Sequence, residues 1–154
     1  MGCVMDNNQL KHEVEQHIVD FMITLQHEFG SSVDDGLSPN QQLVLYLIGT
    51  KKVSRVKELA WCMNVSASAV SQMLAKLDQR RLIERCVDEE NRRNTVLRLL
   101  PEGEKLLEKM EEQRHKIMNR YLSDLPEKEL KVVHDVFSNL QRQAEENSRE
   151  GETT

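Results

Sequence analysis

The chain has 154 residues, a formal net charge of −5, 38% hydrophobic and 31% charged residues, but only 4% aromatics. That length suits one domain with helical extensions, and the mixture excludes a sheet sandwich rich in aromatic and β-branched residues in favour of a mainly α fold. The longest apolar run, Leu43 to Ile48, falls far short of the ~18 residues of a membrane span and has no charged-then-apolar leader, so a soluble cytoplasmic protein is expected.

Leu10, Val14, Ile18, Phe21, Met22, Leu25 and Phe29 recur at spacings of three and four, predicting one long amphipathic helix over about 8–29. Gly30-Ser31-Ser32 ends it. In Ser38-Pro39-Asn40-Gln41 the spacing predicts a helix start with Ser38 as N-cap, Pro39 in the first turn and Gln41 closing a capping box, the helix running to about Gly49. Ser54 is expected to cap a short third helix with Val56, Leu59, Ala60 and Met63 inward, stopping at Asn64. Ser66 then caps a fourth, with Val70, Met73, Leu74 and Leu77 as its buried stripe. Ile83 to Val87 and Thr95 to Leu99 read as strands joined by the charged loop "DEENRRN". Pro101 opens a fifth helix to about Leu122 and Pro126 a sixth, in which Leu130, Val133, Phe137 and Leu140 form a narrow seam of the kind that packs on another helix. Beyond Ala144 the polar composition predicts a frayed tail.

Three cysteines, Cys3, Cys62 and Cys86, include no close pair, which argues against a disulfide framework or a zinc knuckle. Cys62 and Cys86 lie in apolar-periodic segments and are expected in the core; Cys3, near the terminus, is the accessible candidate for a redox-sensing thiol. Phe21, Tyr46 and Trp61 could line a pocket, but each sits on an apolar stripe and core packing is the default. Met1-Gly2-Cys3 does not make a myristoylation signal, because position 6 is Asp6.

Charge is segregated along the chain. Lys51 to Arg98 holds 11 Lys and Arg against 6 Asp and Glu, a local +5, which leaves 10 against 20, or −10, for the rest. Such a middle segment draws a polyanion while the flanks repel it. Within it, the fourth helix opens on Ser66, Ala67, Ser68, Ala69 and Ser71. In a helix-turn-helix, small residues at that end let the second helix approach base edges in the major groove; Gln72 can pair bidentately with adenine, and Lys76 and Arg80 lie later on the helix within reach of phosphates. Small residues there also suit tight helix packing, and serines suit capping. The neighbourhood favours DNA: a short helix, the small-faced helix, then a ribbon whose tip carries Arg92 and Arg93 is the order of a winged helix-turn-helix, and a basic wing tip can enter the minor groove.

The segments "LSPNQQLVLYLI", "VKELAWCMNVSASAVSQMLAKLDQRRLIER" and "DEENRRNTVLRLLPEGEKLL" resemble the multiple antibiotic resistance regulator (MarR) family of bacterial transcription factors over about Leu37 to Leu107, and the flanking helices agree in position. The resemblance implies a homodimer: an N-terminal dimerisation helix and loop (1–36), a winged helix-turn-helix lobe (37–100), C-terminal dimerisation helices (101–147) and a disordered tail (148–154). It further implies a pseudo-palindromic operator read in the groove by Ser66, Ala67, Ser68, Ser71 and Gln72, a minor-groove role for Arg93, backbone contacts from Ser38, Ser54, Arg55 and Lys76, and an unknown small-molecule or oxidant effector. Three positions depart from the family pattern. Asn91 stands where an aspartate usually orients the wing arginine, Leu100 replaces a capping threonine before "PEG", and Arg81 replaces a glycine that ends the recognition helix.

Other chemistries find little support. Ser54-Arg55-Val56-Lys57 matches S-x-x-K without the partner motifs of penicillin-binding enzymes, and no H-E-x-x-H, phosphate loop or nucleophile elbow is present. No enzyme, cofactor, metal site or membrane partner is expected; His115 with Glu111 or Glu112 suits helix pairing better than zinc. The reading is therefore a sequence-specific, double-stranded-DNA-binding regulator, a ligand- or redox-responsive repressor acting as a homodimer. The alternative is a helical dimeric adaptor whose winged lobe binds protein.

Overall fold

The structure is a computed structural model; it describes residues 6–30, 36–87 and 95–151, without the side chains of 30, 95 and 148–151. It is mainly helical: α1 (Asn7–Gly30), α2 (Pro39–Gly49), α3 (Val56–Met63), α4 (Ala67–Gln79), β1 (Ile83–Val87), β2 (Thr95–Leu99), α5 (Pro101–Leu122) and α6 (Glu127–Gly151). The chain divides within α5 into two compact units, Met1–Arg114 and His115–Thr154.

The first unit is built around the helix-turn-helix. Val44, Leu45 and Ile48 of α2, Leu59 of α3, Val70, Leu74 and Leu77 of α4, and Leu82, Ile83 and Leu97 of the ribbon form one buried cluster. Each fully buried aliphatic side chain of that cluster contributes about 1.5–3 kcal/mol. Helix ends are closed by local chemistry. Ser38 caps α2 in a capping box: its Oγ accepts from the Gln41 N–H, and its own N–H donates to Gln41 Oε1 at 2.9 Å. That bond pairs the amide oxygen of Gln41, the buried polar side chain of this region. Pro39 occupies the first turn, where a missing N–H costs nothing.

α3 ends at Asn64 in the left-handed region, φ 51°, where a short polar side chain is tolerated better than most. The Asn64 N–H donates to the Trp61 carbonyl and the Val65 N–H to the Ala60 carbonyl, both at 3.1 Å, a Schellman arrangement. α4 ends the same way. The Arg81 N–H donates to the Asp78 carbonyl at 2.8 Å and the Leu82 N–H to the Leu77 carbonyl at 3.0 Å, with Arg81 at φ 54°.

β1 and β2 pair antiparallel, from Ile83 opposite Leu99 to Val87 opposite Thr95. β2 is also tied to the segment before α3, because the Leu97 N–H donates to the Ser54 carbonyl at 2.9 Å. α2 approaches α5 and β2 closely at Gly49, where a Cβ would collide with the side chains of Leu107 and Leu99. Nearby, the Arg114 guanidinium lies 4.7 Å from the centre of the Tyr46 ring, a cation–π contact between α5 and α2.

Both long arms carry exposed apolar residues. On α1 these include Leu10, Val14, Ile18, Met22 and Ile23; in the second unit α6 exposes Leu130, Val132, Val136, Phe137 and Leu140, while Ile117 of α5 is buried. Among the described residues no helix is long and apolar enough to cross a membrane.

Several expectations need correction. Ser54 does not cap α3: Arg55 occupies the N-cap position without a side-chain bond, and Ser54 is turned into a β-like pairing with Leu97. Cys62 is exposed and Cys86 only half-buried, since the inward stripe of α3 falls on Val56, Leu59, Ala60 and Met63, and Cys86 lies on an alternating strand. Trp61 is 61% exposed for the same reason of helical phase, and Phe21 is exposed on α1. α6 continues past Ala144 to Gly151, where Glu145, Glu146, Arg149 and Glu150 are competent helix formers despite lacking an apolar stripe. Of the tail, residues 152–154 lie outside the described residues.

Candidate nucleic-acid interface

The core stripe of α4 fixes which side chains it presents outward. With Val70, Leu74 and Leu77 fully buried, the opposite face carries Ser68, Gln72 and Lys76, at successive intervals of four, all exposed. Ser66 and Ala67 at the helix start are exposed as well, and Ser71 sits half-buried at the edge of that face.

The three hydroxyls are not equivalent. Ser66 is the N-cap, at φ −71° and ψ 152°, and its Oγ accepts from the Ala69 N–H at 3.1 Å, leaving its O–H to donate outward. The Ser71 hydroxyl donates to the Ala67 carbonyl at 2.9 Å, so toward a ligand it acts as an acceptor. Ser68 stands exposed between them. A protruding ridge with small side chains, one outward donor, one outward acceptor and a following primary amide is chemically matched to a polar groove of mixed donors and acceptors.

Most of the expected backbone-contacting residues are exposed at helix ends. Ser38 is exposed at the start of α2, and Arg55 is exposed at the start of α3. Arg80, exposed at the C-cap of α4, reaches the loop before α2: its Nη1 lies 3.8 Å from the place a Cβ would take on Gly36, which has φ 67°. Arg80 and the approach to Ser38 therefore share one patch. Ser54 is the exception, half-buried and facing a cleft between α2, β2 and α5 rather than the ridge. Arg92 and Arg93, assigned to the wing tip, and Asn91 beside them lie outside the described residues, as does Cys3.

That cleft, of about 860 Å³, was not foreseen. Leu99 and Leu107 form apolar wall, while Lys52 and Arg98 on one side and Glu104 and Glu108 of α5 bring charge to it. Its sequence trace is faint: Glu104, Glu108 and Glu111 keep one face of α5 acidic, a pattern indistinguishable from a solvated helix surface until α2 and β2 are placed beside it. The other missed feature is Trp61. Its spacing of four from the exposed Lys57, and of two from the buried Leu59, was the available signal that it points outward.

On the ribbon, the Cys86 thiol is held above the ordinary thiol range, chiefly by its hydrogen bond to Glu84 and secondarily by desolvation. Among the described residues no group of three His, Cys, Asp or Glu side chains gathers as a metal site.

Comparison with known proteins agrees with this architecture. The MarR family model matches residues 37–95, the span from just before α2 to the first residue of β2. The HTH-type transcriptional repressor MdtR of Bacillus subtilis is 31% identical over 144 residues, covering 93% of this chain and 93% of that protein. Among solved structures, the YusO protein of Bacillus subtilis superposes with a TM-score of 0.66 at 31% identity, covering 90% of this chain and 99% of that one. A MarR family protein from Bacillus stearothermophilus gives a TM-score of 0.80 at 20% identity, covering 91% and 99%.

Proposed function

The chain belongs to the MarR family of transcriptional regulators, with its winged helix-turn-helix fold, and from that premise we propose that it is a repressor that binds a pseudo-palindromic double-stranded operator as a homodimer. The observation that carries the reading is the exposed face of Ser68, Gln72 and Lys76 on α4, opposite a fully buried stripe, with Ser66 and Ala67 exposed at the start of the helix. In this reading Ser66, Ala67, Ser68, Ser71 and Gln72 meet base edges, Ser38, Arg55, Lys76 and Arg80 meet phosphates, and Arg92 and Arg93 enter the minor groove. Ser54, half-buried and lining the cleft, stays in the phosphate set as its less exposed member.

The homodimer is supported by the apolar residues exposed on α1 and α6, which water covers at a cost and a second copy of the same helices would bury. Repression is supported by the kinship with MdtR, a repressor by name. Release would follow binding of a small molecule in the cleft beside α5, or oxidation of Cys3. The cleft supports the first route, being roomy, mainly polar with an apolar patch at Leu99 and Leu107, and lined by opposite charges that suit a small polar ligand with an apolar part.

The test is protection of promoter DNA by the purified protein, followed by affinity against salt. Expected are two protected half-sites about 34–36 Å apart and an affinity that falls steeply with salt as phosphate counterions are released. A protein that protects no DNA in dilute buffer, or whose only partner is a protein bound without salt dependence, is not this repressor.

A further inference from the structure

We propose that Trp61 extends the DNA contact beyond the recognition helix, its indole ring lying against the sugar-phosphate backbone beside the start of α4 and its Nε1–H donating to a phosphate oxygen. The proposal rests on the reading of α4 as the DNA-contacting helix. It adds a residue outside that helix and a type of contact that the serines and lysines do not make.

Trp61 is the chain's single tryptophan, and it is 61% exposed. Of the remaining apolar residues of α3, Leu59 is buried and Val56, Ala60 and Met63 half-buried, and only the small Cys62 shares the exposure of Trp61. A large aromatic left in water on a short helix gains nothing for the fold. What lies beside it gives the exposure a direction. Trp61, Ala60, Asn64, Val65 and Ser66 line a shallow depression of about 500 Å³, so the indole and the N-cap of α4 belong to one continuous surface. Its floor is rigid without any ligand, because the turn from Trp61 to Ser66 is fixed by the two Schellman bonds and by the Ser66 cap. No ordering is needed on docking, which preserves affinity.

Charge identifies the occupant. Lys57 precedes Trp61 by one helical turn and shares its exposed side, and Arg55 at the helix start is exposed too, against one exposed acid, Glu58, so the surface beside the indole is net positive. An apolar ring with one N–H donor beside cations fits an alternation of deoxyribose and phosphate: the ring covers the sugar, the N–H meets an oxygen, the cations neutralise the charge. An apolar protein partner would offer Lys57 no opposite charge.

The experiment uses the full chain and a duplex recovered with the wild-type protein by selection from a random-sequence pool. Because one fluorophore reports on one place, tryptophan emission is expected to change in intensity and wavelength as duplex is added. Trp61→Ala is expected to weaken binding about tenfold, the scale of a lost hydrogen bond to a charged group. It should do so alike on the selected duplex and on variants of it, and it should leave the salt slope unchanged because the indole is neutral. Trp61→Phe, which keeps the ring and loses the donor, should fall between. If wild type binds tightly while Trp61→Ala binds within twofold of it, or if emission is unmoved by saturating duplex, the assignment of Trp61 falls and the reading of α4 survives. A loss confined to particular base sequences would likewise overturn the backbone contact. If wild type binds no duplex, both fall together.

Discussion

Replacing Arg81 by glycine should stabilise the protein, although it removes a whole side chain. Arg81 holds φ 54° as the residue that closes the Schellman end of α4. A Cβ in that region costs roughly 1–2 kcal/mol through its clash with the following carbonyl. Glycine removes the clash but gives the unfolded chain more freedom, which offsets about 0.4–1 kcal/mol of the gain. The net is a stabilisation of about 0.5–1 kcal/mol, and for a chain of this size it should raise Tm by roughly 1–4 °C. The measurement is thermal unfolding followed by helical circular dichroism at one fixed protein concentration, since a dimer's Tm moves with concentration. Arg81→Ala is the control that separates charge from conformation, keeping the Cβ and losing the guanidinium, and it should melt within a degree or so of wild type. Arg81→Gly melting at or below Arg81→Ala would mean that the left-handed position carries no strain, and the reasoning would fail.

Gln72→Ala should change which base pair is preferred at one position of each half-site, whereas Lys76→Ala should weaken all duplexes alike and reduce the salt slope by about one; a pair of mutants with identical effects would remove Gln72 from the groove. Gly103→Ala should destabilise the protein by about 1–3 kcal/mol, because the added Cβ meets the Leu82 carbonyl, which is backbone and cannot rotate away; an unchanged Tm would refute that packing. With iodoacetamide near pH 8, Cys62 should be alkylated before Cys86, since Cys62 is exposed whereas Glu84 raises the Cys86 pKa and so lowers its thiolate fraction at any given pH. Raising the pH should narrow the difference, and peptide mass spectrometry reads both sites. If the proposed homodimer pairs through α6, Phe137→Glu should yield a monomer in sedimentation and lose DNA affinity with it; a dimeric variant would place the interface elsewhere.

Most of the fold was legible because its helices announce themselves twice, by period and by punctuation. Ser38-Pro39-Asn40-Gln41 specifies a capping box that the structure forms bond for bond, and Ser66 and Asn64 likewise act where their chemistry says they should. The failures share a cause. Ser54 satisfies the composition rule for an N-cap, but a long-range bond to Leu97 claims its backbone and moves the cap to Arg55, and no local pattern encodes that bond. Trp61 and Cys62 look apolar and therefore internal, yet the inward stripe of α3 falls on Val56, Leu59, Ala60 and Met63 and leaves both outside it. The face of α4 could be read because its buried and exposed residues follow one period; the cleft could not, because α2, β2 and α5 meet there from distant parts of the chain.

One residue links the elements that repression and release would have to couple. The Leu82 N–H closes the end of α4 on the Leu77 carbonyl, its side chain is buried in the core, and its carbonyl accepts from the Leu100 N–H at 3.0 Å as the ribbon returns. The same carbonyl is the surface against which Gly103 packs at the start of α5, close enough that even a methyl group is excluded. The exit of the recognition helix, the base of the wing and the first turn of α5 thus bear on a single peptide group, without a layer of adaptable side chains between them. Close-packed contacts of this kind move together or break, since neither a backbone hydrogen bond nor a backbone contact stretches by much. Under the proposed release, a ligand that shifts Glu104 and Leu107 away from β2 in the cleft acts one and four residues along the helix from Gly103. The displacement would reach the end of α4 through Leu82 with little loss, turning the groove-facing residues without any contact between ligand and DNA.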